Sequence, residues 1–481
     1  MENKQKRDYL LNVLRTTPDF INYSIKSPYG KLNKRNDFYM LKDRIDLFLD
    51  KGSSARFYIM PGLRGVGKTT ILFQLYDYLT NVKNINSNHI LYLDLNRLKD
   101  LGEFNILEYL DIFIKDINEE AYLNKEPLFI FVDESQYSNN WDHVGKIIFD
   151  ENKNVFLIFT GSGALNLEYS MDSARRSIKK EIYPLNFSEY LYLKYDCNMP
   201  LNISRTFFDM IFSGEIEDSL KIEKYVELNI YNKFKRDSIK VWQDFIQYGG
   251  LPSSFDLPHS EVIESTISIK NRVLEKDLDL ISSFTTPIRQ SSYSILNTIA
   301  LQKPGSLSVQ KLANTFEISK TSVLNILESF SNAHLIFGIS PYGSISKRNR
   351  HPQEYYFLST QMKACIYQLN GQSTQTKGDY FGSLFENYVA ASLYMMKEKT
   401  KRDFTIFYDS RKKCNVDFLI NTIIGDIIPI EVGIGSKNKR QIKNAMRKYN
   451  SDYGIVISNK TQSIVKEDDV LFIPIKTFSL M

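Results

Sequence analysis

The sequence lacks any long apolar run and has few cysteines. No stretch of about 18 or more consecutive apolar residues occurs, so we expect no transmembrane helix. The three cysteines, Cys197, Cys365 and Cys414, are odd in number and far apart. They predict neither a disulfide framework nor a zinc site, and they indicate a reducing compartment. We therefore expect a cytoplasmic protein with no membrane partner.

The sequence also lacks internal repeats, low-complexity tracts and an apolar leader segment, so no secretory signal is predicted. Its 481 residues correspond to roughly three domains of about 150 residues. The apolar content of 43% is ample for packed cores. The net charge of +5 is mildly basic and does not identify a partner by itself.

One stretch, residues 57–70, contains a glycine-rich motif between two regular elements. The apolar run 57–60 predicts a buried strand, and helical spacing of apolar residues begins after Thr70. The residues between them match GxxxxGK(S/T) at every fixed position. They are Gly62, Leu63, Arg64, Gly65, Val66, Gly67, Lys68 and Thr69. A glycine-rich turn that matches by chance is the alternative.

This motif predicts a phosphate-binding loop, because glycines let backbone N–H groups turn inward and surround phosphate oxygens. The following helix adds its positive N-terminal end. We predict that residues Gly62 to Thr70 bind ATP. Lys68 would reach the β- and γ-phosphates, and the Thr69 hydroxyl would bind Mg²⁺.

A second strand, Leu128 to Val132, ends in two acids. Asp133 and Glu134 would lie at the carboxyl edge of a parallel sheet, where open α/β sheets bind ligands. We predict that Asp133 holds Mg²⁺ through water and that Glu134 is the catalytic base. A strand that merely ends in solvated acids is the alternative.

The apolar run at 90–95 predicts another buried strand, and residues 103–123 predict one helix.

Polar residues also follow the buried run Val155 to Phe159. Either Thr160 or Ser162 is positioned to sense the γ-phosphate, although threonine is common in strands for other reasons. Arg175 and Arg176 come next, and we predict Arg176 as a catalytic contact to the γ-phosphate, in the same chain or in a neighbour. Two solvated arginines are the alternative.

These motifs, with others downstream, carry a family resemblance over most of residues 57–435. The matching pieces are Gly62-Leu-Arg-Gly-Val-Gly-Lys-Thr, Phe131-Val-Asp-Glu, Phe159-Thr-Gly-Ser, Pro184-Leu-Asn-Phe-Ser-Glu-Tyr, Gly249-Gly-Leu-Pro, Leu384-Phe-Glu-Asn-Tyr, Val416-Asp-Phe and Pro429-Ile-Glu-Val. The chain resembles prokaryotic AAA+-type ATPases with a winged helix and a C-terminal PD-(D/E)xK-like domain of unknown function. The resemblance implies ATP binding and hydrolysis.

Residues 291–358 carry the pattern of a winged helix. Ser308 and Ser319 are predicted to cap a second and a third helix. A hairpin and the basic run Lys347, Arg348 and Arg350 follow. Hydroxyl groups at the start of a third helix and a basic wing suit contacts to DNA phosphates. Winged helices also serve as protein-docking modules, and both alternatives stay open.

The C-terminal region places one acid on a helix, Glu386, and two on strands, Asp417 and Glu431. This is the PD-(D/E)xK order, in which carboxylates gather around Mg²⁺ to activate water. The expected lysine two positions after the last acid is Gly433, and Lys437 or Lys439 would have to replace it. Without that cation, the sequence favours an inactive nuclease fold kept for binding or assembly over an active nuclease.

We therefore predict an α/β protein with a P-loop AAA+ ATPase core (residues 1–200), a helical lid and linker (201–290), a winged helix-turn-helix (291–358) and a restriction-endonuclease-like α/β domain (359–481). Residues 401–450 hold 11 Lys and Arg against 5 Asp and Glu, which favours a surface for duplex DNA. An ATP-controlled switch or scaffold that binds protein and an active Mg²⁺-dependent nuclease are the alternatives. Whether the chain forms a homo-oligomer stays open.

Overall fold

The computed structural model describes residues 3–27, 30–163, 175–278, 284–302, 307–370, 376–400, 404–410, 416–434 and 439–481. It divides into two compact units, one of Met1–Tyr183 with Asp277–Ser283 and one of Pro184–Lys276 with Phe284–Met481. The main segment of the first unit ends at Tyr183, and the core boundary at residue 200 stays a prediction. The finer division into four domains stays a prediction.

The first unit contains helices, a small ribbon and a five-stranded sheet. The helices are α1 (Asn3–Ser24), α2 (Asn36–Lys51), α3 (Lys68–Asn81), α4 (Leu95–Lys99), α5 (Ile106–Asp111), α6 (Glu119–Leu123) and α7 (Trp141–Glu151), with 3₁₀ turns Ser87–His89 and Ser135–Tyr137 and a π-helical turn Ile112–Ile117. The strands are β1 (Lys26–Ser27), β2 (Gly30–Lys31), β3 (Phe57–Pro61), β4 (Ile90–Asp94), β5 (Leu128–Asp133), β6 (Val155–Gly161) and β7 (Ile178–Lys179).

The five-stranded sheet is parallel throughout, in the order β4-β5-β6-β3-β7. Strands β3, β5 and β6 are buried along their whole length, as expected for a parallel sheet with covered faces. Strand β6 lies between β3 and β5, so its carboxyl end lies beside both the end of β3, where the glycine loop begins, and the end of β5 at Asp133. The three predicted site segments therefore meet at one edge.

The predicted single helix over 103–123 is wrong. The chain forms α5, the π-helical turn and α6, with Asn118 outside helical geometry between the last two. The side chain of Asn118 donates to the carbonyl oxygens of Phe113 and Asn88, each at 3.1 Å. An asparagine that bonds to nearby backbone groups competes with the helix, which explains the interruption.

The second unit holds the remaining elements. Its helices are α8 (Phe187–Tyr195), α9 (Ile203–Ser213), α10 (Glu217–Asn229), α11 (Ser238–Tyr248), α12 (His259–Arg272), α13 (Thr286–Leu301), α14 (Val309–Thr315), α15 (Lys320–Asn332), α16 (Ile345–Arg350), α17 (Thr360–Asn370), α18 (Lys377–Thr400), α19 (Lys439–Tyr449) and α20 (Ile475–Phe478), with 3₁₀ turns Tyr231–Asp237 and Pro252–Ser254 and a π-helical turn Val273–Asp277. Its strands are β8 (Ile336–Pro341), β9 (Glu354–Phe357), β10 (Phe404–Tyr408), β11 (Phe418–Thr422), β12 (Ile427–Gly433), β13 (Gly454–Ser458), β14 (Val465–Glu467) and β15 (Val470–Pro474).

The strands of the second unit form one eight-stranded mixed sheet, in the order β14-β15-β13-β12-β11-β10-β8-β9. The hairpin predicted for a winged helix, β8 with β9, is part of this sheet because β8 pairs with β10 in parallel. Within the described ranges, no helix is both long and apolar enough to cross a lipid bilayer.

The predicted helix caps of the second unit are present. The Ser308 hydroxyl accepts a hydrogen bond from the backbone N–H of Lys311, and that of Ser319 accepts one from Ser322. Strand β8 follows α15, as expected from the sequence. Whether the three helices α13 to α15 act as a winged helix stays a prediction.

The basic run after β8 was predicted as part of a wing and instead forms α16. Ser344 caps this short helix by accepting from the Lys347 N–H. Lys347 Nζ donates to the carbonyl oxygen of Tyr342 at 2.9 Å. Arg348 donates to the carbonyl of Gly343 and lies over the Phe407 ring at 4.2 Å. Two of the three cations therefore stabilise the connection between β8 and β9.

Candidate functional site

The glycine loop after β3 requires glycine for reasons of backbone geometry and space. Gly65 and Gly67 have φ angles of 83° and 96°, in the left-handed region that side chains disfavour. Gly62 has a different reason, since a Cβ there would lie 2.4 Å from the carbonyl oxygen of Ile182. Helix α3 begins at Lys68, directly after Gly67. The strand, loop and helix are therefore arranged as the motif requires.

Lys68 is buried, with 6% of its surface exposed. Its Nζ donates to the carbonyl oxygens of Gly62 at 2.8 Å and Leu63 at 3.1 Å. The ammonium group therefore lies over the loop that would surround the phosphates. Thr70 is half-buried in the first turn of α3.

Asp133 is the centre of a hydrogen-bond network at the carboxyl edge of the sheet. Its Oδ2 accepts from the Thr69 hydroxyl at 2.7 Å and from the Tyr92 hydroxyl at 3.1 Å. Its Oδ1 accepts from the Thr160 hydroxyl and from the backbone N–H of Glu134. The two residues predicted to hold Mg²⁺, Thr69 and Asp133, are thus in direct contact. A hydroxyl and a carboxylate are the oxygen donors that Mg²⁺ prefers.

Glu134 is held at both carboxylate oxygens. Its Oε1 lies 3.0 Å from Nη1 of Arg64, and its Oε2 accepts from the side-chain amide of Gln136. Arg64 also reaches the Tyr137 hydroxyl at 3.4 Å. The backbone of Glu134 is left-handed, with φ of 57°, a conformation that non-glycine residues seldom adopt outside turns and functional sites.

Gln136 continues this network to the end of β6. Its side-chain oxygen accepts from the backbone N–H of Ser162 at 3.2 Å. The Ser162 hydroxyl is buried and has no hydrogen-bond partner among the described residues. Of the two residues predicted as γ-phosphate sensors, Thr160 therefore binds Asp133 and Ser162 keeps an uncommitted hydroxyl beside the site.

A second carboxyl group, that of the half-buried Asp94, lies at this edge of the sheet. Asp94 ends β4 opposite Asp133 in the β-ladder. Burial and the nearby Asp133 raise the pKa of the Asp94 carboxyl. Burial and the same Asp133 raise the pKa of the Tyr92 hydroxyl. A divalent cation at this edge would relieve the repulsion between the carboxylates.

Arg35 supports the loop from a distant part of the sequence. It is 5% exposed, and its guanidinium donates to the carbonyl oxygens of Val66 at 2.7 Å and Tyr183 at 3.1 Å. Asp37 lies 3.5 Å away. Sequence reasoning missed Arg35 because both acceptors are backbone groups, which leave no side-chain signature. It also missed the pairing partners Tyr92 and Gln136.

Arg176 is not part of this edge, and its predicted contact to the γ-phosphate in the same chain is wrong. Its Nε lies 2.7 and 2.8 Å from the two carboxylate oxygens of Asp150. Asp150 is near the end of α7, which precedes β6, so the pair lies at the opposite edge of the sheet from the glycine loop. Arg175 is exposed. A contact from Arg176 to a neighbouring chain stays a prediction.

The assignment of Glu386, Asp417 and Glu431 to a second site stays a prediction. Among the described residues, no group of three or more His, Cys, Asp or Glu side chains is arranged to hold a metal ion. Asp417 Oδ2 accepts from the Val432 N–H at 2.6 Å, and Glu431 accepts from the Gln441 amide at 3.0 Å. The neutral side-chain amide of Gln441 therefore contacts the last acid.

Glu386 lies close to Glu354 and Tyr356 in the second unit and senses the charge of Asp417. The Tyr356 hydroxyl lies 3.1 Å from Glu386 Oε1 and 2.9 Å from Glu354 Oε2. Burial, Asp417 and Glu354 raise the pKa of Glu386 well above its usual value, while Lys363 opposes the shift. Burial lowers the pKa of Lys363 to about 8.

Several cations of the basic segment 401–450 are ion-paired. Lys439 lies 2.6 Å from Glu467, Lys443 lies 3.0 Å from Asp468 and Lys448 lies 2.7 Å from Asp409. Lys437, the other predicted substitute for the missing lysine, lies outside the described residues, as does Cys414. The formal charge of this segment therefore overstates the charge available to an external phosphate.

Two family models match separate parts of the chain. Residues 54–191 match an AAA domain, and residues 381–478 match a domain of unknown function, DUF4143. The first match contains the glycine loop, Asp133 and Glu134. The second contains Glu386, Asp417 and Glu431. The two matches leave the helices between them, α9 to α17, without a family assignment.

Two archaeal relatives cover most of the chain. The uncharacterized protein MJ1637 of Methanocaldococcus jannaschii is 31% identical over 477 residues, which are 99% of this chain and 94% of that protein. The uncharacterized protein MJ1544 of the same organism is 25% identical over 399 residues, 80% of this chain and 77% of that protein.

Solved structures are similar at lower identity. The Walker-type ATPase PABY2304 of Pyrococcus abyssi is 14% identical, with a TM-score of 0.35 over 69% of this chain and 95% of that one. The Aeropyrum pernix ORC1 protein, solved in complex with DNA, is 9% identical, with a TM-score of 0.32 over 74% of this chain and 95% of that one.

Proposed function

The chain belongs to the family of the uncharacterized Methanocaldococcus jannaschii protein MJ1637, and we propose that it binds ATP with Mg²⁺ and hydrolyses the ATP. The observation that carries this proposal is the direct contact between Thr69 and Asp133 beside the glycine loop. Thr69 lies in the first turn of α3 and Asp133 at the end of β5, so two distant segments meet where a loop-bound nucleotide would present its phosphates. The match of residues 54–191 to an AAA domain supports the same activity.

In this proposal each group of the site has one task. The loop N–H groups and Lys68 hold the β- and γ-phosphates, and Thr69 and Asp133 hold Mg²⁺, Asp133 through water. Mg²⁺ would neutralise charge that develops on the phosphate oxygens. Glu134 orients the attacking water. Ser162 senses the γ-phosphate with its buried hydroxyl, which has no hydrogen-bond partner among the described residues.

Turnover and binding measurements on the full-length chain test this proposal. Lys68→Ala should abolish nucleotide binding or lower turnover by about 10²–10³-fold, because it removes a cation from the terminal phosphates. Glu134→Gln should keep ATP bound and stop hydrolysis. Lys83→Ala is the matched control, since Lys83 lies beyond the other end of α3 and pairs with Asp46. Normal turnover in Glu134→Gln would contradict the assignment of the base.

We further propose that the nucleotide state controls engagement of duplex DNA by the second unit. The exposed residues Lys320 and Thr321 at the start of α15 support this proposal, because a helix start with a cation and a hydroxyl suits a phosphate. The ion pairs of Lys439, Lys443 and Lys448 weigh against α19 as the main contact. A switch that binds protein is the competing proposal. A nuclease is disfavoured, because the described residues contain no group of three or more His, Cys, Asp or Glu side chains arranged to hold a metal ion.

The salt dependence of binding separates these proposals. A DNA-binding surface loses affinity steeply as the salt concentration rises, by about 0.9 in the log–log slope for each phosphate contact. Lys320→Glu should lower the affinity for a duplex and flatten this slope. Lys221→Glu is the control, because Lys221 is exposed on α10 and pairs with Asp218, one turn away on the same helix. No duplex binding at low salt would favour the protein-binding switch.

A further inference from the structure

Arg64 occupies a position in the glycine loop for which the motif specifies no side chain. It is nevertheless buried, with 8% of its surface exposed, and its guanidinium faces Glu134 at 3.0 Å. The loop therefore carries a second cation besides Lys68. The Lys68 ammonium donates to two carbonyl oxygens of the loop. The Arg64 guanidinium instead pairs with Glu134, the proposed catalytic base.

The pair between Arg64 and Glu134 is partly shielded from water. The side chains are 9% and 21% exposed, so loss of one partner would leave the other charge poorly compensated. The pair should therefore break only where another anion replaces the carboxylate. A nucleotide phosphate is such an anion, because a guanidinium binds phosphate through two parallel hydrogen bonds.

Glu134 is constrained by its neighbours as well as by Arg64. Its left-handed backbone and its contact with Gln136 fix the carboxylate in this arrangement. With one contact at each oxygen, the carboxylate is held in a single orientation and cannot turn towards a water molecule without losing a partner. Glu134 is therefore a base whose carboxylate is already engaged by Arg64 and Gln136.

We propose that Arg64 is the residue through which the site distinguishes ATP from ADP. Without a γ-phosphate, Arg64 stays paired with Glu134. With a γ-phosphate, the guanidinium transfers to the phosphate and Glu134 becomes available to orient the attacking water. This inference rests on the proposed function, and within it Arg64 is a positioning residue for Glu134 and a specificity residue for the nucleotide.

The proposal links Glu134 to nucleotide affinity in a specific way. Glu134→Gln keeps the shape of the side chain and removes its charge, so Arg64 loses its carboxylate partner. The guanidinium then has no interaction with a Glu134 charge to give up when it moves to a γ-phosphate. Affinity for ATP should rise, whereas affinity for ADP, which lacks the γ-phosphate, should not change.

A double-mutant cycle on the full-length chain tests this link. Calorimetric titration with Mg²⁺ and either ADP or an ATP analogue with a β,γ-methylene bridge removes any contribution from hydrolysis. Glu134→Gln should tighten binding of the analogue by about tenfold, in line with the coupling of close charge pairs. In the background of Arg64→Met the same substitution should have no effect. Arg15→Met is the control, because Arg15 is exposed on α1 and bonds only to Asn12 among the contacts described.

Three outcomes decide the matter. Tightening that persists in the Arg64→Met background, or that is equal for ADP and the analogue, overturns the proposal while leaving nucleotide binding intact. Absence of nucleotide binding in the wild type overturns both this proposal and the proposed function. If Arg64→Met does not fold, Arg64→Lys takes its place in the cycle. Lysine keeps the positive charge but cannot form the two parallel hydrogen bonds of a guanidinium. A reduced but measurable tightening in Arg64→Lys supports the proposal.

Discussion

At the scale of single residues, one hydroxyl group in the second unit has to serve two carboxyl groups. The Tyr356 hydroxyl is within hydrogen-bond distance of Glu354 and Glu386, and it has one hydrogen to donate. A carboxyl group of this pair must therefore carry a proton if both contacts are hydrogen bonds. Consistent with this, burial and Asp417 raise the pKa of Glu354 from 4.5 to about 7.

Protonation of Glu354 makes the stability of the second unit depend on pH. Because the folded pKa of Glu354 lies above its unfolded value, its contribution is fully present below about pH 4.5 and is lost as the pH rises through about 7. We expect the urea midpoint, followed by Trp242 fluorescence, to fall between these values. Glu354→Gln should reduce this fall, because an amide does not ionise. Glu328→Gln, an exposed site on α15, is the control and should leave the fall unchanged. An equal fall in Glu354→Gln would contradict this account.

At the scale of elements, helix α19 is attached to its sheet by both apolar and ionic contacts. Ile442 and Ala445 are fully buried, and both belong to the apolar core cluster of this part of the second unit. The ion pair of Lys448 with Asp409 differs from the others, because the Asp409 side chain is 2% exposed. The basic residues of α19 therefore have structural roles that their charge alone does not reveal.

We predict that Lys448→Met lowers the free energy of unfolding of the second unit by about 3 kcal/mol, because it leaves the buried Asp409 charge without this partner. Lys443→Met is the matched control. It removes the same charge from the same helix, but its partner Asp468 is exposed, so we expect little change. Chemical unfolding measures both. The double substitution Lys448→Met with Asp409→Asn should recover part of the loss, and equal stabilities of the two single variants would contradict the prediction.

At the scale of the whole molecule, the two tryptophans report on different units. Trp141 is fully buried in the first unit, and Trp242 is 4% exposed in the second. Trp242→Phe leaves a probe of the first unit alone, and Trp141→Phe leaves a probe of the second. The chain thus offers a direct way to follow each unit while a nucleotide binds.

Mg²⁺–ATP at one hundred times its dissociation constant should stabilise the first unit by about 2.7 kcal/mol, because a ligand that binds only the folded state shifts the equilibrium towards it. Thermal unfolding of the Trp242→Phe variant, read through Trp141, measures this shift. Adding Lys68→Ala should abolish it. The same scan on the Trp141→Phe variant measures how much of the stabilisation reaches the second unit. An unchanged Trp141 transition at saturating nucleotide would contradict ATP binding.

The sequence by itself determined the parts of the molecule whose information is local. The glycine loop, the strand that ends in Asp133 and Glu134, and the caps at Ser308 and Ser319 were all predictable. In each case neighbouring residues set the backbone geometry, through glycine φ angles, apolar runs or side-chain bonds a few positions along the chain. The match of the AAA domain agrees with this part of the prediction.

Only the tertiary structure decided which distant side chains meet. The spacing of residues along the chain did not show that Arg64 pairs with Glu134 or that Arg35 donates to the loop carbonyl of Val66. It also did not show that Arg176 lies at the opposite edge of the sheet. The order of strands in the sheets brings these groups together or keeps them apart. That order depends on the packing of apolar faces across the whole unit, which no single stretch of the chain specifies.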